Sequence, residues 1–181
     1  MVAQDATGKP LWRCSGTLLS PTVYLTAGHC TEAPAAHVEI WFQSDVEHGI
    51  PQNGYPTKGQ VGGTPYTHPQ FDTNAFYLHD VGVVVLDKPM AMPTYGALPV
   101  ANQLDAQINT GFTGPQSLLL SNNANTGGTC FGDSGGPNFL GDSNVVAAVT
   151  SFGINPTCGG TGGVFRVDRP DVLAFVTGFL D

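Results

Sequence analysis

Short apolar or alternating runs, separated by turn residues, set the pattern of this chain. They fall at Leu11–Leu19, Val23–Ala27, His37–Phe42, Val81–Leu86, Ser117–Leu120, Val145–Phe152 and Gly163–Val167. Such runs, rich in β-branched residues and bounded by Gly, Pro, Asn and Ser, predict strands. A turn at Ser20-Pro21 makes the first two runs a hairpin. Asn53–Pro69 is rich in Gly, Pro and Thr and reads as loop, as does Asn122–Gly128. Helical spacing occurs near the C-terminus, where Pro170 suits a first turn and Val172, Leu173, Val176, Phe179 and Leu180 recur on one face. Many short strands and one terminal helix predict an all-β fold.

Composition narrows the class. The 181 residues suffice for one large domain or two small ones, and 24 Gly with 14 Pro suit strands joined by turns. The net charge is −8, only 11% of residues are charged, and no basic cluster occurs, so nucleic acid and anionic membrane are not expected as partners. The longest apolar runs, Val145–Val149 and Val81–Leu86, are far too short to span a bilayer. Four cysteines allow three full pairings. There is no Cys-x-x-Cys or His-x-x-x-His spacing, so neither a metal nor another cofactor is expected.

Three segments carry chemistry. In Gly132-Asp133-Ser134-Gly135-Gly136-Pro137 the glycines let main chain approach a substrate closely. The N–H groups of Gly132 and Ser134 can then point into one small space and hold an oxyanion. Thr26-Ala27-Gly28-His29-Cys30 places His29 at the end of a predicted strand, and His79-Asp80 opens the run Val81–Leu86. A serine nucleophile needs a histidine to take its proton, and the histidine needs a carboxylate to fix its tautomer. Asp72, in a polar loop, and Asp87, at a strand end beside Lys88-Pro89, compete less well than Asp80 for that place. His37, His48, His68 and His79 have no partner pattern and read as surface or loop residues.

The order His29, Asp80, Ser134 separates this set from the subtilisin and α/β-hydrolase arrangements. From Cys14 to its end the chain resembles trypsin/chymotrypsin-family serine endopeptidases. The resemblance implies two antiparallel β-barrels, residues 1–95 carrying His29 and Asp80 and residues 96–181 carrying Ser134, with a C-terminal α-helix. It also implies disulfides Cys14–Cys30 and Cys130–Cys158, an oxyanion hole from Gly132 and Ser134, and substrate backbone along Ser151-Phe152-Gly153. The position six before the nucleophile, the pocket floor, is Gly128. Thr129 and Phe131 lie close by, and Gly153 and Gly163 would form an open wall. An uncharged slot implies an apolar side chain at P1, the residue on the acyl side of the scissile bond. The substrate would be a peptide or protein, and the enzyme a secreted monomer, since disulfides persist in oxidising compartments.

Two departures stand out. Asp80 and Ser134 are 54 positions apart, about forty fewer than in the family template. Val100–Gln116 is polar and offers no strand, so the second barrel is expected to lack its first hairpin and to hold fewer than six strands. Met1–Pro10 has no apolar leader segment, which places the true start upstream or an N-terminal piece removed. Asp133 then lacks the α-ammonium partner that the resemblance implies, and slow catalysis is expected. The alternative expectation is a weak or inactive homologue that binds peptides or a partner; a third is an esterase using the same triad.

Overall fold

The computed structural model describes residues 1–46, 53–107, 113–122 and 128–180. His48 and most of the loop expected over 122–128 lie outside them. Eleven strands and one α-helix follow in order: β1 Val2–Gln4, β2 Pro10–Arg13, β3 Thr17–Leu18, β4 Val23–Thr26, β5 His37–Ile40, β6 Val61–Thr67, β7 Gly82–Leu86, β8 Ser117–Asn122, β9 Pro137–Phe139, β10 Val146–Gly153, β11 Gly160–Arg166 and α1 Pro170–Thr177. The first seven form one curled antiparallel sheet in the order β2-β1-β5-β6-β7-β4-β3; the other four form a second, β8-β11-β10-β9. This is the chymotrypsin arrangement with a shortened second barrel.

Side chains that alternate along β4 and β7 serve two cores. Tyr24, Val84 and Leu86 face the interior of the first sheet with Leu18, Val38, Ile40 and Val61. Val23, Leu25, Val81 and Val83 face the opposite way, onto Val146, Val149, Phe165 and Val167 of the second half and Val172 and Val176 of α1. A strand buried on both faces reads as a continuous apolar run, which is why these two were plain in the sequence. The shared core clamps the end of β4, the start of β7 and the middle of β10 together, and that junction carries the candidate chemistry.

Three readings need correction. Residues within Asn53–Pro69 are not all loop, because β6 lies there between β5 and β7. Its Gly62, Gly63 and Pro65 hide the strand pattern, yet a Cβ at Gly63 would sit 2.6 Å from Val84 Cγ1, so a larger residue would not fit. Pro65 pairs only with β7, beyond the stretch that meets β5, and its missing N–H faces no ladder. The run Leu11–Leu19 is two strands, broken at Cys14–Gly16. His68 is buried at 4% exposure rather than at the surface, its ring 5.0 Å from both Phe175 and His79.

Where the missing hairpin would lie, the described parts of residues 100–116 make turns and two short 3-10 segments, Asp105–Gln107 and Gly114–Gln116. A buried arginine pins them to β11. Arg166 donates from Nε and Nη2 to the two oxygens of Asp168 at 2.8 Å each, from Nη2 to Asp105 Oδ1 at 2.7 Å and from Nη1 to Pro115 O at 2.9 Å. Leu104 N–H adds a bond to Asp168 Oδ2 at 2.7 Å. Among the described residues, β8 and β9 are left as the edges of the second sheet.

Candidate active site

The loop from Cys130 to Gly136 is held by its own backbone and by its neighbours. Gly132 and Gly135 have φ of 96° and 79°, the left-handed region that favours glycine. A Cβ at Gly135 would also lie 2.0 Å from Thr26 Oγ1. Ser15 brackets the loop, its N–H donating to Ser134 O at 2.7 Å and its Oγ to Gly132 O at 2.8 Å. Gly135 N–H reaches Thr150 O on β10 at 2.7 Å, and the Cys130–Cys158 disulfide ties the loop to the segment before β11. Asp133 is exposed, and its carboxylate accepts Cys130 N–H at 2.8 Å. The N–H groups of Asp133, Gly135 and Gly136 are likewise used within the fold, whereas those of Gly132 and Ser134 meet no acceptor among the described residues. Two fixed, unspent donors beside a serine can bind a developing oxyanion without reorganisation.

His29 lies on a 3-10 turn, Gly28–Cys30, that ends β4, and the Cys14–Cys30 disulfide anchors that turn to the end of β2. Asp80 precedes β7 and is fully buried. Three groups donate to its carboxylate. His29 N–H reaches Oδ1 at 2.9 Å, His29 Nδ1 lies 3.1 and 3.0 Å from Oδ1 and Oδ2, and Ser151 Oγ reaches Oδ2 at 2.5 Å. Burial works to lower the His29 pKa, but the hydrogen bond and charge of Asp80, joined by the charge of Glu32, outweigh it and hold the imidazole above its ordinary value. With Nδ1 turned to Asp80, Nε2 is left for proton transfer. Ser134, half-buried, lines the same cavity of about 580 Å³ as His29. Its Oγ makes no hydrogen bond among the described residues; such contacts often tighten only when substrate binds.

The residues expected to contact substrate divide into two groups. Thr129, Phe131, Ser151, Phe152 and Gly153 line that cavity. Gly128 and Gly163 do not line it; Gly128 borders a neighbouring cavity with Thr129. Phe152 and Gly163 are cross-strand partners, so the phenyl ring covers the glycine: a Cβ at Gly163 would lie 2.1 Å from Phe152 Cζ. Gly128 is backed by Asn122 of β8, whose Oδ1 would lie 2.0 Å from a Cβ there. The Asn122 amide donates to Thr129 O at 2.8 Å and to Cys158 O at 3.2 Å, while its buried Oδ1 has no partner among the described residues.

Sequence reasoning missed several residues. Ser151, expected to contact substrate, also gives its hydroxyl to Asp80, at the point where the β10–β11 register shifts between Thr150 and Phe152. Asn122, Trp12 and Glu32 gave no signal either, since each acts through a partner in a turn or loop that only the fold brings near. Two groups of metal-capable side chains occur among the described residues. In Cys14, His29 and Cys30 the sulfurs are spent in a disulfide. In His68, His79 and Asp171 the imidazoles stack at 11° with centroids 5.0 Å apart. Asp171 Oδ2 lies 3.0 Å from His79 Nδ1 without making a hydrogen bond to it.

The Trypsin family model matches residues 1–113, more than half of the chain and the part that holds His29 and Asp80. The chain belongs to the trypsin family. Among curated relatives in this family, brachyurin of Leptuca pugilator is 28% identical over 210 residues, covering 94% of this chain and 86% of its own length. Serine protease 1 of Drosophila melanogaster is 25% identical over 213 residues, covering 97% and 76%. Among solved structures, HL collagenase superposes with a TM-score of 0.74 at 21% identity, over 98% of this chain and 91% of that one. Human heparin binding protein gives 0.66 at 17%, over 99% and 89%. At these identities the superpositions establish the fold. No helix among the described residues is long and apolar enough to cross a membrane.

Proposed function

We propose that the chain is a secreted serine endopeptidase that hydrolyses peptide bonds through an acyl-enzyme on Ser134. The observation that carries this reading is the buried Asp80 carboxylate, bonded to His29 on the wall of the cavity that Ser134 lines. His29 Nε2 takes the Ser134 proton as Oγ attacks the carbonyl carbon, and Asp80 stabilises the imidazolium that forms. The Gly132 and Ser134 N–H groups hold the tetrahedral oxyanion. His29 then gives its proton to the leaving amine, and water repeats the sequence on the ester. Substrate backbone lies along the edge of β10 at Ser151–Gly153. The acyl-side wall of the cavity, with Thr129, Gly153, Asn155 and the Cys130–Cys158 disulfide, presents no charged side chain, which supports an apolar P1 residue. Two disulfides fit an oxidising compartment.

The test is turnover of a P1-varied library of quenched peptides by the wild-type chain and by Ser134→Ala. Cleavage led by apolar P1 residues, and lost in the variant, is expected. A profile led by Arg or Lys refutes the pocket assignment, and cleavage that survives in Ser134→Ala refutes the nucleophile.

A further inference from the structure

The cavity around His29 and Ser134 has two flanks of different chemistry. One is the edge of β10 with Phe152 and Gly153; the other is built from Trp12, Arg13, Cys14 and Glu32. A substrate whose acyl half runs along β10 must send its leaving half over the second flank. Trp12 is half-buried, its indole N–H donating to Cys30 O at 3.1 Å, so the ring is fixed two residues from Glu32. Glu32 is fixed too. Its N–H closes the 3-10 turn on Gly28 O at 3.0 Å, and its Oε2 accepts from Thr73 Oγ1 at 2.7 Å. The carboxylate has no cationic partner among the described residues.

We infer that Trp12 and Glu32 form a site for a cationic side chain within two residues of the scissile bond on the leaving-group side, so that this chain favours cleavage just before Lys or Arg. The inference rests on the reading of Ser134 as nucleophile. An aromatic face beside a carboxylate is a chemistry suited to an ammonium or guanidinium group, which it binds through cation–π and ionic attraction together. Glu32 lines the same cavity as His29 and Ser134. Arg13 bears on the opposite side of Cys14. It passes over the nucleophile loop, with Nε 3.7 Å from a Cβ at Gly132, and borders a second cavity near Gln43 and Asp45.

The experiment uses quenched peptides with one acyl half and Lys, norleucine or Glu at the first or second residue beyond the scissile bond. At one of those positions kcat/KM for Lys should exceed that for Glu about tenfold at low salt, the size of one exposed ion pair plus one exposed cation–π contact. The ratio should shrink in 0.5 M salt as the charges are screened. Glu32→Gln should flatten the series and Glu32→Lys should reverse it. A flat series in the wild type, or an unchanged order in Glu32→Lys, overturns the inference. The same preparations are treated with a fluorophosphonate. Failure to label Ser134 overturns the nucleophile reading and this inference with it, whereas labelling with a flat series overturns this inference alone.

Discussion

Arg166→Met removes the cation from a buried carboxylate. Arg166 and Asp168 are both 0% exposed. The guanidinium makes two bonds to Asp168, one to Asp105 and one to Pro115 O. Methionine fills much of the volume but leaves the Asp168 carboxylate buried with only Leu104 N–H on its oxygens. Breaking a buried pair from one side costs about 3–5 kcal/mol. With an m-value of about 2 kcal/mol/M in urea, the midpoint of unfolding should fall by about 1.5–2.5 M. Arg166→Met combined with Asp168→Leu removes the stranded charge and leaves one buried N–H unpaired, a cost of about 1–3 kcal/mol. The double variant should therefore recover part of the loss. The assay is urea unfolding followed by tryptophan fluorescence with the disulfides intact. A midpoint shift below about 0.5 M for Arg166→Met, or a double variant less stable than the single one, would refute the claim that this pair pins Leu104, Asp105 and Pro115 to β11.

Further outcomes follow from the site. Because catalysis needs neutral His29 and its pKa is raised, kcat/KM should climb with pH through a midpoint above that of an ordinary imidazole, and Glu32→Gln should lower that midpoint. The raised pKa has a matching effect on folding: the His29–Asp80 attraction adds stability at pH below the unfolded imidazole value and fades as pH rises through the folded one. Urea midpoints of wild type and His29→Gln should therefore converge at alkaline pH. Ser151→Ala removes one donor from Asp80 and should lower kcat by about tenfold to a hundredfold with little change in KM, read from initial rates. Gly135→Ala forces a side chain into left-handed backbone and onto Thr26 Oγ1, so it should destabilise the fold by more than 1 kcal/mol in the same urea assay.

Burial on both faces made β4, β7 and β10 legible as apolar runs, and the motifs around His29, Asp80 and Ser134 carried the family and the fold. Strand β6 was hidden because Gly63 leaves room for Val84 of β7 and Pro65 lies where its missing N–H faces no ladder, conditions set by β5 and β7 rather than by local propensity. β1 and β9 are three residues each, too short for periodicity to register. The space at Gly163 was illegible for a related reason. A glycine signals space, but the register of β10 on β11 decides that Phe152 fills it. Arg166 sits among Val164, Phe165 and Val167, and only the fold reveals that its charge points inward to Asp168.

The central claim is that Ser134 is a nucleophile activated by His29 and Asp80. Intact mass measured after exposure to a fluorophosphonate, with the adduct mapped by peptide sequencing, tests it most directly. The account predicts one phosphonyl group per chain on Ser134, formed faster as pH rises through the His29 titration and absent in His29→Ala. An unmodified chain, or an adduct on any other residue, would contradict it.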